Sequence, residues 1–430
     1  FGSSNLTMLS ASNGGTRPKE LWRWQLYTAL ATAVAALLLA TLLWKAWRPE
    51  HHLQDLINER FGQEVARTRH WPEECIRLRS PPASADSFLA GIKNDGMPVI
   101  IRRAHSIFGD SIKLWRNVSH LLDTHGAAVF SASYFDATDP DERFGITPVE
   151  GGRYLQKPYR TSRSLAEVVR FDREDRLLVL EQACLRCPEE DADGGGPRAA
   201  EAARNASGPN RTGADGQDDT AGLRWRMFEE WSPPPFLGDL VVRQVNLWLG
   251  RLPVGGAGRP KESPTHFDEN DNLMLQIRGS KVFWLYDAVD APNLHPQIMQ
   301  ARLKGDPDTD EGRRPGKVDD LLQDNFSPVD PLRPDAARLP RSRHATPMRC
   351  ELLPGEALYL PAFTWHHVVN YGEASNDSLE NGLNIGVNAW FEGDARFRFL
   401  FESLMAVLRG TLKDGTRKAE SADKLEHLEN

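Results

Sequence analysis

The stretch THFDENDNLMLQIRGSK, residues 265–281, decides the fold of this 430-residue chain. Most of it is typical of a β-strand, yet it starts with His266 and Asp268 and ends in Lys281. Side chains two apart in a strand point to the same side, so His266 and Asp268 can approach one point while Phe267 packs behind them. The charges therefore need a partner from elsewhere in the chain.

Strand signals continue through the second half of the chain. Short runs rich in β-branched and aromatic residues alternate with turn residues such as Gly and Pro. That pattern is typical of an antiparallel sandwich or barrel. The predicted strands cover residues 240–249, 273–277, 281–286, 357–360 and 383–391. We therefore expect a mainly β fold.

The last of these strands, LNIGVNAWF at residues 383–391, has one apolar face and one mixed face. The mixed face carries Asn384, Gly386, Asn388 and Trp390. A packed core normally rejects two asparagines, because each buried amide needs hydrogen-bond partners. The alternation therefore predicts that this face lines a polar cavity at the mouth of a small barrel.

Two adjacent histidines lie in LYLPAFTWHHVVN, residues 358–370. Neighbouring residues of a strand face opposite ways, so only one of His366 and His367 should point inward. With His266 and Asp268 that histidine makes two imidazoles and one carboxylate, a set that suits non-haem Fe(II) and leaves coordination positions open. A surface or hydrogen-bonded structural role for these residues is the alternative.

The motifs HFDENDNLMLQIRGSK, LPGEALYLPAFTWHHV and GLNIGVNAWF follow one another, with His366 100 residues after His266. In this order the chain resembles the JmjC-type, cupin-like branch of the Fe(II)/2-oxoglutarate-dependent oxygenases. Within that branch it resembles the asparaginyl hydroxylase of hypoxia-inducible factor and related protein hydroxylases. The resemblance implies a double-stranded β-helix, the cupin-like jelly-roll, with flanking helices.

The resemblance also implies a role for each residue that matches a family motif. Iron would be held by His266, Asp268 and His366, 2-oxoglutarate by Lys281, Ser263, Asn272, Asn388 and Tyr154, and Trp390 would lie at the substrate mouth. The implied reaction uses O2 and 2-oxoglutarate to hydroxylate a protein side chain. N-methyl-lysine demethylation and a catalytically silent cupin-like binding protein are the alternatives.

Charge and cysteine content limit the partners. The formal net charge is -8 and the pI is about 5.9, which argues against electrostatic binding to nucleic acid. Four cysteines fit a chain with one or two disulfides. A protein substrate is the expected partner.

Residues 24–44 contain no charged side chain and are long enough to cross the hydrocarbon core of a bilayer as a helix. Tryptophans stand at both ends of the run, as expected at membrane interfaces. We predict a transmembrane anchor at 24–44 between an N-terminal tail, 1–23, and a stalk or linker helix, 45–80. A cleaved signal peptide or a buried helix is the alternative.

Basic residues are balanced on the two sides of the predicted anchor, so they do not set its orientation. Six Asn-x-Ser/Thr triplets occur, five of them after the anchor. This excess of glycosylation signals favours the secretory pathway, endoplasmic reticulum or Golgi, with a luminal catalytic domain. A cytosol-facing domain is the alternative.

The remaining segments complete the predicted domain plan. The JmjC/cupin-like catalytic domain covers 81–395 and contains a disordered insertion at 188–222, where aromatic residues are missing. Residues 396–430 hold a C-terminal helix and a polar tail. That helix packs on the barrel or forms a homodimer contact.

Overall fold

The computed structural model describes residues 71–391, apart from gaps at 94–95, 140, 146, 150–153, 188–219, 255–260, 307–308 and 310–316. The predicted anchor, the helical part of the stalk and residues 396–430 lie outside the described residues. Within the described ranges, no helix combines the length and the apolar character that crossing a bilayer requires.

Seventeen strands form in the described part of the chain. They are β1 (Ile76–Leu78), β2 (Val99–Ile101), β3 (Val129–Asp136), β4 (Thr147–Val149), β5 (Tyr154–Lys157), β6 (Tyr159–Ser164), β7 (Arg176–Arg186), β8 (Val242–Arg251), β9 (Lys261–His266), β10 (Asp271–Arg278), β11 (Ser280–Tyr286), β12 (Gln297–Leu303), β13 (Lys317–Phe326), β14 (Met348–Leu352), β15 (Ala357–Leu360), β16 (Trp365–Tyr371) and β17 (Leu383–Phe391). Every strand that the sequence predicts in the second half is present.

Five α-helices accompany these strands within the same ranges: α1 (Ala85–Phe88), α2 (Ser111–Arg116), α3 (Val118–His125), α4 (Leu165–Arg170) and α5 (Thr220–Glu229). Side-chain caps begin several of them; Ser164 and Glu167 form a reciprocal capping box at α4. Because α5 begins at Thr220, residues 220–222 belong to a helix rather than to the predicted insertion.

The strands form two sheets. One has the order β1-β2-β15-β10-β17-β8-β7-β3-β6, and the other has the order β14-β11-β16-β9-β13-β12-β5-β4. Most neighbours are antiparallel, but β1 with β2 and β5 with β12 are parallel, so both sheets are mixed rather than purely antiparallel. The opening stretch connects the sheets, because β9 and β11 belong to one and β10 to the other.

Alternation along β10 and β17 separates two interiors. Leu273 and Leu275 of β10 join Val387 of β17 in a core that also contains Phe88 of α1 and Trp115 of α2. The helices therefore cover the outer face of the nine-stranded sheet, and burying each large aliphatic side chain contributes roughly 1.5–3 kcal/mol.

The opposite face of these strands points between the two sheets. There Met274 of β10 packs with Phe283 of β11 and Met348 of β14. Asn384 and Asn388 of β17 are buried in this interior. Asn384 lines a cavity there, as the alternation predicted for this face, whereas Asn388 does not. The fold is thus a mainly β, cupin-like jelly-roll with a partly polar interior.

Two disulfides fit the predicted number. Cys75 pairs with Cys350 across 275 residues of sequence, and Cys184 pairs with Cys187. The first links the residues just before β1 to β14, in the eight-stranded sheet. Residues 71–80, which the sequence assigned to the stalk, therefore include strand β1 and a covalent link to the jelly-roll.

Gly279 is expected to be essential for the turn that carries the chain from β10 to β11. Its φ is +67°, and an added Cβ would lie 2.4 Å from the carbonyl oxygen of Tyr371. We expect Gly279→Ala to lower the free energy of unfolding by at least about 1–3 kcal/mol, measured by denaturant titration. Gly91→Ala is the matched control, because its added Cβ meets nothing within 4 Å. Equal stability of the two variants would contradict this role for the turn.

Candidate metal centre

Three potential metal ligands meet where β9 and β16 pair. His266 ends β9 and lies directly opposite His366 of β16 in the antiparallel register. Their ring centroids are 4.2 Å apart. Asp268 follows β9, and its Oδ2 lies 3.8 Å from Nε2 of His366. One ligand atom from each residue lies within 4.8 Å of the other two.

Backbone carbonyls orient both imidazoles. Nδ1 of His266 lies 2.7 Å from the carbonyl oxygen of Pro264, and Nδ1 of His366 lies 2.9 Å from that of Thr364. A hydrogen bond from Nδ1–H to each carbonyl leaves the Nε2 lone pair for a metal, as in metal-ligating histidines generally. The two rings are therefore set in the tautomer that a metal requires.

Aromatic packing positions the loop that carries Asp268. Phe267 turns away from the site and meets the ring of Trp365 edge-on, with centroids 4.8 Å apart. The amide N–H of Phe363 donates to the carbonyl oxygen of Asp268 over 2.7 Å. Phe363 itself has a φ of +62°, a backbone conformation that costs energy for a bulky residue. Hydrophobic packing on the side away from the ligands thus fixes the loop that carries Asp268.

Burial shifts the protonation of the triad. It raises the pKa of the Asp268 carboxyl, although the charge of His266 acts the other way. It lowers the pKa of His366 well below the usual value for histidine, and the neighbouring His266 lowers it further. Neutral imidazoles are the form that binds metals, and a divalent cation would restore the ionised carboxylate. Two imidazoles and one carboxylate are the donor set that suits non-haem Fe(II).

His367 points to the other side of the sheet and joins a separate ionic network. Its Nε2 lies 3.3 Å from Oε2 of Glu262. Arg333 contacts the same Glu262 oxygen at 2.5 Å and Asp330 at 2.7 Å. The arginine already supplies a cation between the two carboxylates, so this cluster is explained as an ion network.

An inner cavity of about 70 Å³ extends from the triad into the jelly-roll. Its lining includes the triad together with Ser263, Asn272 and Lys281. Lys281 is only 4% exposed, and its Nζ donates to Oδ1 of Asn370 over 2.5 Å. Burial lowers the pKa of Lys281 to about 7, against the opposing charge of Glu181. A buried ammonium at the end of a cavity is suited to an anionic ligand.

Asn388 supports the cavity from behind Asn272. Its Nδ2 donates to Oδ1 of Asn272 over 3.1 Å, and its Oδ1 accepts from Nε1 of Trp248 over 2.6 Å. Asn388 is 1% exposed and is absent from the lining of the inner cavity. Trp390, on the same strand, lies opposite Asn272 in the register and is half-buried.

Tyr154 lies apart from the other residues that the resemblance implied. It begins β5 near one end of the eight-stranded sheet, and the guanidinium carbon of Arg302 lies 3.6 Å from its ring centroid. It lines neither the inner cavity nor the wider cavity described next. The short GRYLQ motif gave too little context to place the residue.

A wider vestibule of about 640 Å³ opens on the outer side of the triad. It shares His266, Asp268 and Glu181 with the inner cavity, and Tyr159 and Arg160 also line it. The inner cavity can hold a small cosubstrate while a larger group approaches the triad from the vestibule.

Sequence reasoning missed three residues of this interior. Asn370 lies on β16 four residues after His366 and two after Val368, so it faces the same side of the strand as His366. The two-residue repeat of a strand could therefore have identified it. Glu181 and Trp248 carried no local signal. Glu181 reaches the cavity beside a β-bulge at which β7 shifts register and Gln182 adopts a φ of +48°.

Comparisons with known proteins agree with this geometry. The family described as "Cupin-like domain" matches residues 85–397. The chain therefore belongs to the cupin-like domain family, and its resemblance to the JmjC-type cupin-like oxygenases is confirmed. The JmjC-type oxygenases use Fe(II) and 2-oxoglutarate.

Two curated relatives share part of the chain. Human "Bifunctional peptidase and (3S)-lysyl hydroxylase JMJD7" is 28% identical over 165 residues, which are 38% of this chain and 46% of that protein. "Lysine-specific demethylase 8" of Xenopus tropicalis is 28% identical over 124 residues, 29% of this chain and 22% of that protein. Each match spans less than half of the relative.

A solved structure also matches at a low level. The X-ray structure of E. coli ycfD is 13% identical, with a TM-score of 0.33, over 79% of this chain and 60% of that chain.

Asp268→Asn should remove one equivalent of bound Mn²⁺, because the triad loses its only carboxylate. Changing residues that merely orient a ligand already costs 10–100-fold in metal affinity, so we expect a loss of at least about 100-fold. Calorimetric titration with Mn²⁺ measures it. Asp330→Asn, in the Arg333 network, is the matched control and should bind normally. Unchanged binding by Asp268→Asn would contradict the assignment.

Proposed function

We propose that this protein is an Fe(II)/2-oxoglutarate-dependent oxygenase that hydroxylates a protein side chain. The observation that carries the proposal is the triad of His266, Asp268 and His366, open to one cavity that ends in the buried Lys281 and to a second that opens outward. Family membership supports the same chemistry.

The triad fits iron by its donor set and by the orientation of its imidazoles. His266 and His366 would bind through Nε2, since each Nδ1 is engaged by a carbonyl. Asp268 would bind through a carboxylate oxygen that burial makes costly to ionise without a cation. Bound iron would let O2 react with 2-oxoglutarate and the substrate, so that one oxygen atom converts a C–H bond to C–OH and the other enters the cosubstrate, which becomes succinate and CO2.

Lys281 would hold the distal carboxylate of 2-oxoglutarate. Its ammonium donates to the neutral amide of Asn370, so a carboxylate would add the counter-charge that the ammonium needs. Ser263 and Asn272 line the same cavity, and Asn388 orients Asn272. The protein thus contributes orientation and exclusion of water rather than acid–base catalysis.

The vestibule supports a substrate larger than a metabolite, because its volume is several times that of the inner cavity. The names of the two relatives both refer to lysine, one as a lysyl hydroxylase and one as a lysine-specific demethylase. Demethylation of N-methyl-lysine is therefore the second candidate, since oxidation of an N-methyl C–H bond needs the same site. A lysine-containing peptide is the substrate class to test first.

Membrane attachment forms part of the proposal and rests on the sequence. The uncharged run at residues 24–44 would anchor the protein, and the five glycosylation triplets after it favour a luminal catalytic domain.

Turnover tests the proposed reaction directly. With Fe(II), O2 and a library of lysine-containing peptides, the protein should convert 2-oxoglutarate to succinate, and His366→Ala should abolish the conversion. His344→Ala, at an exposed histidine, is the matched control. Peptides that gain an oxygen atom indicate hydroxylation, whereas formaldehyde release indicates demethylation. Metal and cosubstrate binding without succinate formation would favour the catalytically silent alternative.

Lys281→Met should weaken 2-oxoglutarate binding, because a buried charge-assisted hydrogen bond is lost. Such a bond contributes about 1.5–3 kcal/mol, or about 10- to 150-fold in Kd. Calorimetry in the presence of Mn²⁺ measures the change, and Lys113→Met, at an exposed lysine, is the control.

The pKa of Lys281 adds a pH signature to the same experiment. Because its folded pKa is lowered to about 7, the ammonium form prevails below pH 7 and is lost above it. Binding of a carboxylate to the ammonium then requires proton uptake above pH 7, so the affinity should fall by up to about tenfold per pH unit. An affinity that is equally strong in Lys281→Met and independent of pH would contradict this role.

A further inference from the structure

A second cluster of potential ligands lies among the helices that cover the nine-stranded sheet. His120 and His125 belong to α3, and Glu230 directly follows α5. Nε2 of His120 lies 2.9 Å from Oε1 of Glu230, and Nε2 of His125 lies 3.0 Å from the same oxygen. One ligand atom from each residue lies within 4.8 Å of the others.

The surroundings of His125 indicate that this cluster binds a ligand. It is 1% exposed, and neither of its ring nitrogens has a well-directed hydrogen bond among the described residues. Its Nε2 is close to Oε1 of Glu230, but the direction of the contact is poor for a hydrogen bond. Buried polar atoms are nearly always satisfied. Two ring nitrogens without a well-directed hydrogen bond, one of them 3.0 Å from Oε1 of Glu230, therefore indicate a missing ligand.

Neighbouring side chains prepare the carboxylate for such a partner. Nε1 of Trp115 donates to Oε2 of Glu230 over 2.7 Å, which fixes the carboxylate and leaves Oε1 toward the two histidines. Hydrogen bonds of this kind commonly orient metal ligands. The side chains of His120 and Glu230 are 24% and 18% exposed, so an ion and a water molecule can reach the cluster from solvent.

We propose that His120, His125 and Glu230 form a second divalent-metal site, separate from the jelly-roll triad, and that it binds Zn²⁺. Two imidazoles and a carboxylate, with water in the fourth position, are an established tetrahedral zinc set. Tetrahedral Zn–N and Zn–O bonds of about 2.0–2.2 Å would set the ligand atoms about 3.3–3.6 Å apart. Oε1 of Glu230, now 2.9 and 3.0 Å from the two imidazole nitrogens, would need to move only by a few tenths of an ångström.

In the Glu262, Asp330 and His367 cluster, Arg333 already bridges the two carboxylates. Here the carboxylate oxygen Oε1 of Glu230 lies between two imidazoles instead. Bound zinc would fasten the end of α5 to α3.

Zinc analysis of the full chain tests the proposal. The four proteins are the Asp268→Ala variant, which disables the jelly-roll triad, and the same variant with His120→Gln, Glu230→Gln or His105→Gln added. After equilibrium dialysis against Zn²⁺, Asp268→Ala should retain about one equivalent, measured by mass spectrometry. Adding His120→Gln or Glu230→Gln should remove it, whereas the exposed His105→Gln control should not.

Cobalt provides a readout that tells the two sites apart. Co²⁺ in a tetrahedral site absorbs visible light far more strongly than in an octahedral one, so Asp268→Ala should show intense bands that His120→Gln removes. Circular dichroism verifies that each variant is folded. If His120→Gln is unfolded, the Glu230→Gln variant takes its place in the comparison. The proposal would be overturned if Asp268→Ala bound no zinc. It would also be overturned if adding His120→Gln or Glu230→Gln left the bound zinc unchanged.

Discussion

The antiparallel pairing of β9 with β16 is the constraint on which the site depends. It sets His266 directly opposite His366, at the point where β9 ends and the chain turns toward Asp268. A slip of one residue in β16 would exchange His366 for His367 and carry the wrong imidazole to the interior. The register is secured because residues on both faces of β16 are buried, with Val368 in the core between the sheets.

The interior of the jelly-roll is built for polar contents. A protein core gains stability by excluding polar groups, yet Asn272, Asn388 and Lys281 are all buried here. The two amides hydrogen-bond to each other, while the ammonium of Lys281 has a neutral amide as acceptor and a lowered pKa. Such an arrangement is costly for an empty core and favourable for one that receives an anion.

Sequence periodicity was sufficient for much of this architecture. The alternation in residues 383–391 predicted the strand, its apolar face and a polar face on a cavity, which Asn384 lines. It could not locate groups whose position depends on irregular backbone. Glu181 enters the cavity beside a bulge that no local pattern indicates. Tyr154 begins a strand whose other end, Lys157, lines the vestibule, while Tyr154 itself lines neither cavity. The pairing of distant cysteines was equally beyond local reasoning.

Diffraction from crystals soaked with Mn²⁺ and 2-oxoglutarate would show where the metal and the cosubstrate bind. We expect an anomalous peak bonded to Nε2 of His266, Nε2 of His366 and the carboxylate of Asp268. The ligand should run inward from that ion, with its distal carboxylate on Nζ of Lys281. Manganese elsewhere with this triad empty, or 2-oxoglutarate bound away from Lys281, would contradict this expectation.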